Sequence, residues 1–471
     1  MSATASRAPG AQQKRLAQYL DSLAQAAGHA DRIVPFKAYC TGLLLPGERK
    51  SIEPMAARLD PDHVGRMHQS LHHLVADAPW NDEILLDRAL DTVLPAMLRQ
   101  GPVVAWVVDD TGFPKKGQHS VGVTRQYCGQ VGKQDNCRVA VSLSVTTEHA
   151  SMPIAFRLYL PEVWASDKGR REKAGVPKEV VFQTKPRIAL EQIGRARERG
   201  VPTGIVLADA GYGADTQFRT RLTEWDLPYV VGVQSAVSVW RPGQGPKPAP
   251  ERKGLGRPPR LLQRDAQHQP LSAKELALSL PAQAWTNVTW RRGVKDKLVS
   301  RFAALRVRPA HRDYWRAAPH PEEWLLMEWP QQEKEPTKYW LATLPAETPL
   351  SELVYFAKHR WIIERDYQEL KQELGLGHFE GRGWRGFHHH AALCIAAYGF
   401  LVSERSHFFP QPAPAILGYV SPGRPGASAR AVRRLRPERH NPHSIATLRT
   451  VIASYLFALL PRCPYCGSRS G

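Results

Sequence analysis

"PVVAWVVDDTG", residues 102–112, decides the fold. The run is apolar and β-branched without alternation, and it is closed by two acids and a glycine. A strand covered on both faces reads this way, because neither face has to meet water. A second run, "TGIVLADAGYG" at 203–213, has the same grammar: apolar residues, then an acid, then glycines. Between them, "HSVGVTRQYCG" (119–129) and "CRVAVSLSVTTE" (137–148) read as antiparallel neighbours, and "MPIAFRLYLP" (152–161) as a further extended piece. "TKPRIALEQIGRARERG" (184–200) has helical spacing and a closing Gly200. After a short helix, "PYVVGV" (228–233) is another strand.

The order β-β-β-α-β-α-β over residues 101–234 predicts an α/β fold with a ribonuclease-H-like core. Upstream, "RLAQYLDSLAQAA", "VGRMHQSLHHLVAD" and "ILLDRALDTVLPAML" place apolar residues three and four apart. They predict an all-helical N-terminal domain over 16–100, behind a polar, disordered stretch at 1–15. Downstream, "RPGQGPKPAPERKGLGRPPR" (241–260) is an exposed, extended segment. It opens a β-rich insertion over 235–335, with strands in "AWTNVTWRRG", "LVSRFAALRVRP" and "EEWLLMEWP"; "KYWLATLP" just beyond it is a further strand-like piece. Helix returns in 336–404, the second part of the core. A basic tail, 405–471, ends in an apolar helix and "CPYC".

Composition narrows the partner. The chain has 471 residues, with 64 basic against 44 acidic, a net charge of +20. Such an excess favours a polyanion, most simply nucleic acid. No apolar run is long enough to span a bilayer, and the N-terminus lacks the apolar centre of a secretory signal. Six cysteines are too few for a disulfide framework at this length, which predicts a reducing cytoplasm.

Asp109 and Asp209 stand where two buried strands end. In a parallel pair such ends lie side by side, and two adjacent carboxylates need a counter-charge. Hard oxygen donors suit Mg²⁺ or Mn²⁺. A third acid is available in "WIIERDYQELKQELGL" (361–376), where Glu364 and Lys371 share one helical face. Two metals held this way can activate water or a 3′-hydroxyl and stabilise the departing oxygen of a phosphodiester. Lys371 could face substrate phosphates.

Three blocks in order, "VVDDTGFPKKGQHSVGVTRQYCGQVGKQDNC", "LADAGYG" and "RWIIERDYQELKQELGLGHFEGRGWRGFHHH", resemble DDE transposases of bacterial insertion sequences. They most resemble the IS701 group within the IS4-like set, over most of residues 15–465. The resemblance implies a catalytic triad and metal site of Asp109, Asp209 and Glu364, with Asp110 a rival for the first place. It implies two Mg²⁺ or Mn²⁺ ions, terminal inverted repeats and target DNA as partners, and a homodimer in the synaptic complex. The place of action would be the bacterial cytoplasm, at the nucleoid. The IS4-like helix signature is matched by Arg360, Glu364 and Lys371. Its Tyr position holds Ala357, with Tyr355 two residues out of register, which puts a DNA-hairpin route in doubt.

Lys115, Lys116, Arg125, Arg360, Lys371 and Arg382 are candidate DNA contacts. Relatives with a β-rich insertion can stack a flipped base on a Trp. Here Trp240, Trp285, Trp290 and Trp324 offer themselves, and Trp290 is carried forward. His388, His389 and His390 point in different directions on a helix, so they face DNA or pack. Cys463 and Cys466 form half of a Zn²⁺ site, with Cys40, Cys128, Cys137 and Cys394 scattered elsewhere. Two other readings compete with a transposase: a non-catalytic, domesticated DNA-binding protein, and a repair or restriction nuclease on the same core.

Overall fold

The computed structural model describes residues 9–250, 260–292, 297–408 and 444–462. Five helices come first: α1 (Pro9–Ala24), α2 (Ala30–Leu44), α3 (Ile52–Leu59), α4 (Val64–His72) and α5 (Asp82–Leu98). Helix α1 starts inside the stretch expected to be disordered, because "AQQKRLAQYL" packs Leu16, Tyr19 and Leu20 inward and Arg15 pairs with Glu404. These helices do not close a core of their own. Leu20, Phe36, Leu43 and Leu90 belong to one apolar cluster with Tyr398 and Leu401 from far downstream.

Strands β1 (Ala105–Pro114), β2 (Thr124–Cys128), β3 (Lys133–Thr146) and β4 (Ser151–Leu158) follow. Helices α6 (Glu162–Ala165), α7 (Lys168–Lys173) and α8 (Lys185–Glu198) lead to β5 (Ile205–Ala208). Next come α9 (Ala210–Gly213), α10 (Thr216–Glu224), β6 (Tyr229–Val233), β7 (Ser238–Trp240), β8 (Leu271–Ser272) and α11 (Ala273–Leu278). Strands β9 (Thr286–Arg292), β10 (Lys297–Pro309), β11 (Glu323–Trp329) and β12 (Lys338–Ala342) precede α12 (Leu350–His359), α13 (Trp361–Leu374), α14 (Trp384–Phe408) and α15 (Ile445–Leu459). None of the described helices is long and apolar enough to cross a membrane.

Among the described residues the sheet runs β2-β3-β1-β5-β6-β12-β11-β10-β7-β8, with β4 on β3 and β9 on β10. β12, just past the expected insertion, pairs antiparallel with β6, and the insertion strands β11 and β10 follow outward, so they extend the main sheet. At the centre β1 and β5 are parallel, as are β5 and β6. Both faces are covered, as the apolar grammar requires. Trp106 and Val108 point into the cluster shared with α14, while Ala105 and Val107 pack under Leu353, Ile362 and Ile363 of α12 and α13.

Every residue of α14 from Phe387 to Val402 is buried. A helix apolar all round belongs in an interior, and this one joins the N-terminal helices to the sheet. Its three histidines pack rather than face DNA. His388 accepts from the Leu158 N–H, Tyr39 bonds His390, and His389 stacks on Trp80 at 3.7 Å. Burial pushes all three down to about 4, so they are neutral at pH 7.

Candidate active site

The parallel register pairs Ala105 with Ile205, Trp106 with Val206 and Val107 with Leu207. Continued two residues, it sets Asp109 opposite Asp209. Successive strand residues point to opposite faces. Asp109 therefore shares the side of Ala105 and Val107, under α12 and α13, and Asp110 the side of Trp106 and Val108. This alternation separates the two rivals. Asp109 meets Arg360, whereas Asp110 is held by Lys185 of α8 at 2.8 Å.

Asp209 is also the N-cap of α9, its Oδ1 accepting from the Gly211 N–H at 2.8 Å. A single strand-end acid is usually such a cap; here the capping uses one oxygen. The glycines of "DAGYG" let α9 lie against β6: a Cβ on Gly213 would stand 2.0 Å from the Gly232 carbonyl oxygen.

Helix α13 turns Ile362, Ile363, Tyr367, Leu370 and Leu374 inward and leaves Glu364, Gln368 and Lys371 toward a cavity. Tyr367 bonds Ser142 of β3 at 2.7 Å, and Asp366 bonds Ser151 and Tyr398, so the helix cannot roll. It ends at Gly375 with φ +70, where a Cβ would meet Lys50 at 2.8 Å. The cavity is about 910 Å³ and is lined by Asp109, Asp110, Asp209, Arg360, Glu364 and Lys371, among others.

Arg360 stands between the acids. One guanidinium nitrogen donates to Asp109 Oδ2 and another to Glu364 Oε1, both at 2.6 Å. Asp109, Glu364 and Asp209 together raise the Arg360 pKa although burial opposes them. Burial pushes the Asp109 carboxyl up to about 7 against Arg360, and Asp209 and Asp110 push the same way. These acids need positive charge, and their donor set is hard oxygen, which fits a divalent cation. They do not form a ready cage: among the described residues no three His, Cys, Asp or Glu side chains are placed to hold one ion. The side chain of Glu364 is 59% exposed and drawn onto Arg360. An ion at these carboxylates would require the guanidinium to leave.

Lys371 lies along β1, donating to the Gly112 carbonyl at 2.8 Å and to Gln130 at 3.0 Å. Burial lowers its pKa to about 8. Its charge is present below that pH and lost above it. On the reading that Lys371 contacts DNA, affinity should fall severalfold as pH rises through about 8, and Lys371→Arg should flatten the profile. Fluorescence anisotropy across pH 7–9 at fixed ionic strength measures this.

Other candidates separate. Arg125 and Tyr127 are exposed on one face of β2, and Tyr127 lines the cavity. Lys116 and Arg382 are exposed. Lys115 instead donates to the Phe379 carbonyl at 2.9 Å, fixing the loop before α14. Trp290 is half-buried, with the Lys358 ammonium 4.4 Å from its ring centre. Trp240 is buried on Asp313, and Tyr355 packs on Phe356 and His359 outside the cavity lining. Cys463 and Cys466 lie outside the described residues; Cys40, Cys128, Cys137 and Cys394 are buried free thiols. Sequence reasoning missed Lys185. Its position straight after the Thr184 cap, in a helix facing the acids, was the available signal.

A family model described as DDE superfamily endonuclease matches residues 19–297, more than half of the chain, and the chain belongs to that family. The matched segment contains Asp109 and Asp209 and ends before Glu364. Within known proteins the chain is similar to a probable transposase for insertion sequence element IS701 from Microchaete diplosiphon, at 31% identity over 203 residues. That alignment covers 42% of this chain and 48% of the relative, so the chain spans about half the length of the protein it matches.

Proposed function

We propose that this protein is a transposase that cuts DNA at the ends of an insertion sequence and joins the resulting 3′-hydroxyls to target DNA. The observation that carries the reading is the β1–β5 register, which brings Asp109 beside Asp209 under the helix bearing Glu364. Family membership and the IS701-type relative support it. The core is read as ribonuclease-H-like, the substrates as terminal repeats and target, and the working form as at least a dimer on paired ends, at the bacterial nucleoid.

Asp109, Asp209 and Glu364 would hold Mg²⁺ or Mn²⁺ once Arg360 swings away. Bound there, divalent ions supply Lewis-acid activation of the attacking oxygen and neutralise charge on the departing one. The protein's own residues do the rest. Arg360, released from the carboxylates, is within reach of a phosphate in the same cavity. Lys371 presents a positive charge beside Gly112. Tyr127 and Arg125 extend the contact along the hairpin. With a net charge of +20, the grip on DNA is set by phosphate contacts and weakens steeply with salt.

The Arg360 bridge also favours a second reading, a DNA-binding protein whose acids are permanently neutralised. Incubating end-sequence DNA with the full chain and Mg²⁺ or Mn²⁺ separates the two. Nicks at the element ends support the transposase. Binding without nicks under both ions supports the second reading.

A further inference from the structure

We propose that the cavity beside the catalytic one binds the phosphodiester backbone of a second DNA, the target of joining; this rests on the transposase reading. The neighbouring cavity is about 370 Å³ and shares Thr184 and Pro186 with the catalytic cavity. The wall between the two is the start of α8. Lys185 sits in that wall and reaches Asp110 on the catalytic side. Beyond it, Arg187 and Arg221 line the second cavity.

Arg187 and Arg221 are exposed, at 66% and 52%. Each pairs with an acid on its own helix: Arg187 with Glu191 at 3.9 Å, Arg221 with Glu224 at 2.9 Å. Exposed pairs of this kind are weak and yield to a phosphate. Two acids also line the cavity: Glu224, the partner of Arg221, and Asp215, which accepts from the Phe218 N–H as the cap of α10. Gln217 and Thr220 add neutral polar groups to the lining, while the Thr216 hydroxyl is engaged with His311.

Joining requires two backbones at one set of carboxylates. Lys371 of α13 lines the catalytic cavity on the Asp109 side, with Tyr127 of β2 in the same lining and Arg125 exposed beside it, and Lys185 of α8 lines it on the Asp110 side. One side then serves the end to be cut, and the other, continued by Arg187 and Arg221, serves the strand that receives it. Phosphate contacts position a duplex without reading its sequence, which suits a target that varies.

The test uses the full chain carrying Arg187→Ala and Arg221→Ala together. Cutting is measured on uncut end DNA, and joining on pre-cut ends with a plasmid target. Cutting should stay within about twofold of wild type, and joining should fall about tenfold with a shallower salt dependence. Arg187→Lys with Arg221→Lys should recover most of the joining. Unchanged joining overturns the proposal. So does an equal fall in cutting and joining, which would assign the cavity to the end DNA or to folding, and so does a lysine pair that fails to rescue. If the wild type neither cuts nor joins with Mg²⁺ or Mn²⁺, the transposase reading falls, and the target site with it.

Discussion

Asp109→Asn, Asp209→Asn and Glu364→Gln should each lower end cleavage on the order of a thousandfold, the scale for removing one preorganised electrostatic partner of developing charge. Each should leave DNA affinity within about threefold, because carboxylates add nothing to a phosphate grip. The amides keep the local structure and remove the charge. In Asp209→Asn the side-chain oxygen can still cap α9 through Gly211. Glu364 is exposed and bonded to Arg360 at the surface of the cavity, so its change should not unfold the chain. Cleavage kinetics on end DNA, paired with anisotropy binding curves, read both quantities. Asp110→Asn is the internal comparison. It loses the Lys185 pair on the other face of β1, and it should cut better than Asp109→Asn by tenfold or more, on the order expected when a charge sits beside the reacting group rather than on it.

Arg360→Gln carries the second large effect, and it has opposite signs on two measurements. In the resting protein the guanidinium bridges Asp109 and Glu364, and on the proposed reading an incoming ion would have to displace it. A charge-assisted hydrogen bond contributes about 1.5–3 kcal/mol, so removing this competitor should tighten binding of Ca²⁺, a non-reactive stand-in, by roughly tenfold or more. Cleavage should nevertheless fall, because the charge released toward the substrate phosphate is gone. Calorimetric titration of Ca²⁺ against the DNA-free protein isolates the first effect. Equal or weaker Ca²⁺ binding in Arg360→Gln would show that the guanidinium does not occupy the ion's place.

The edge of the sheet that carries Asp109 and Asp209 was legible because it obeys local rules. "AWVVDD" and "IVLADAG" announce buried strands ending in acids, and the parallel register then follows from period two alone. Asp109 over Asp110 is a matter of which face each residue takes. The helix signature and the spacing to Lys371 pointed to Glu364, which lines the same cavity as the two aspartates. What escaped depends on partners distant in sequence. The "HHH" of α14 is polar in sequence, yet the helix is buried because the N-terminal helices cover its other side. The strands read as an insertion extend the core sheet, since only the β12–β6 pairing reveals it. The Lys358 ammonium, from the end of α12, against the Trp290 ring is a contact between distant segments that the sequence does not announce. Arg360 was assigned to DNA, and its bridge between two acids 251 and 4 residues away is visible only in three dimensions.

Iron-directed backbone cleavage tests the central claim most directly. Fe²⁺ substituted at a divalent-ion site generates radicals with ascorbate and peroxide that cut the polypeptide chain close to the metal. Cuts clustering near Asp109, Asp209 and Glu364, suppressed by Mg²⁺ and lost in Asp209→Asn, are the predicted outcome. Cuts confined to other segments, or none at all while DNA binding persists, would contradict a shared cation site at the meeting point of these three acids.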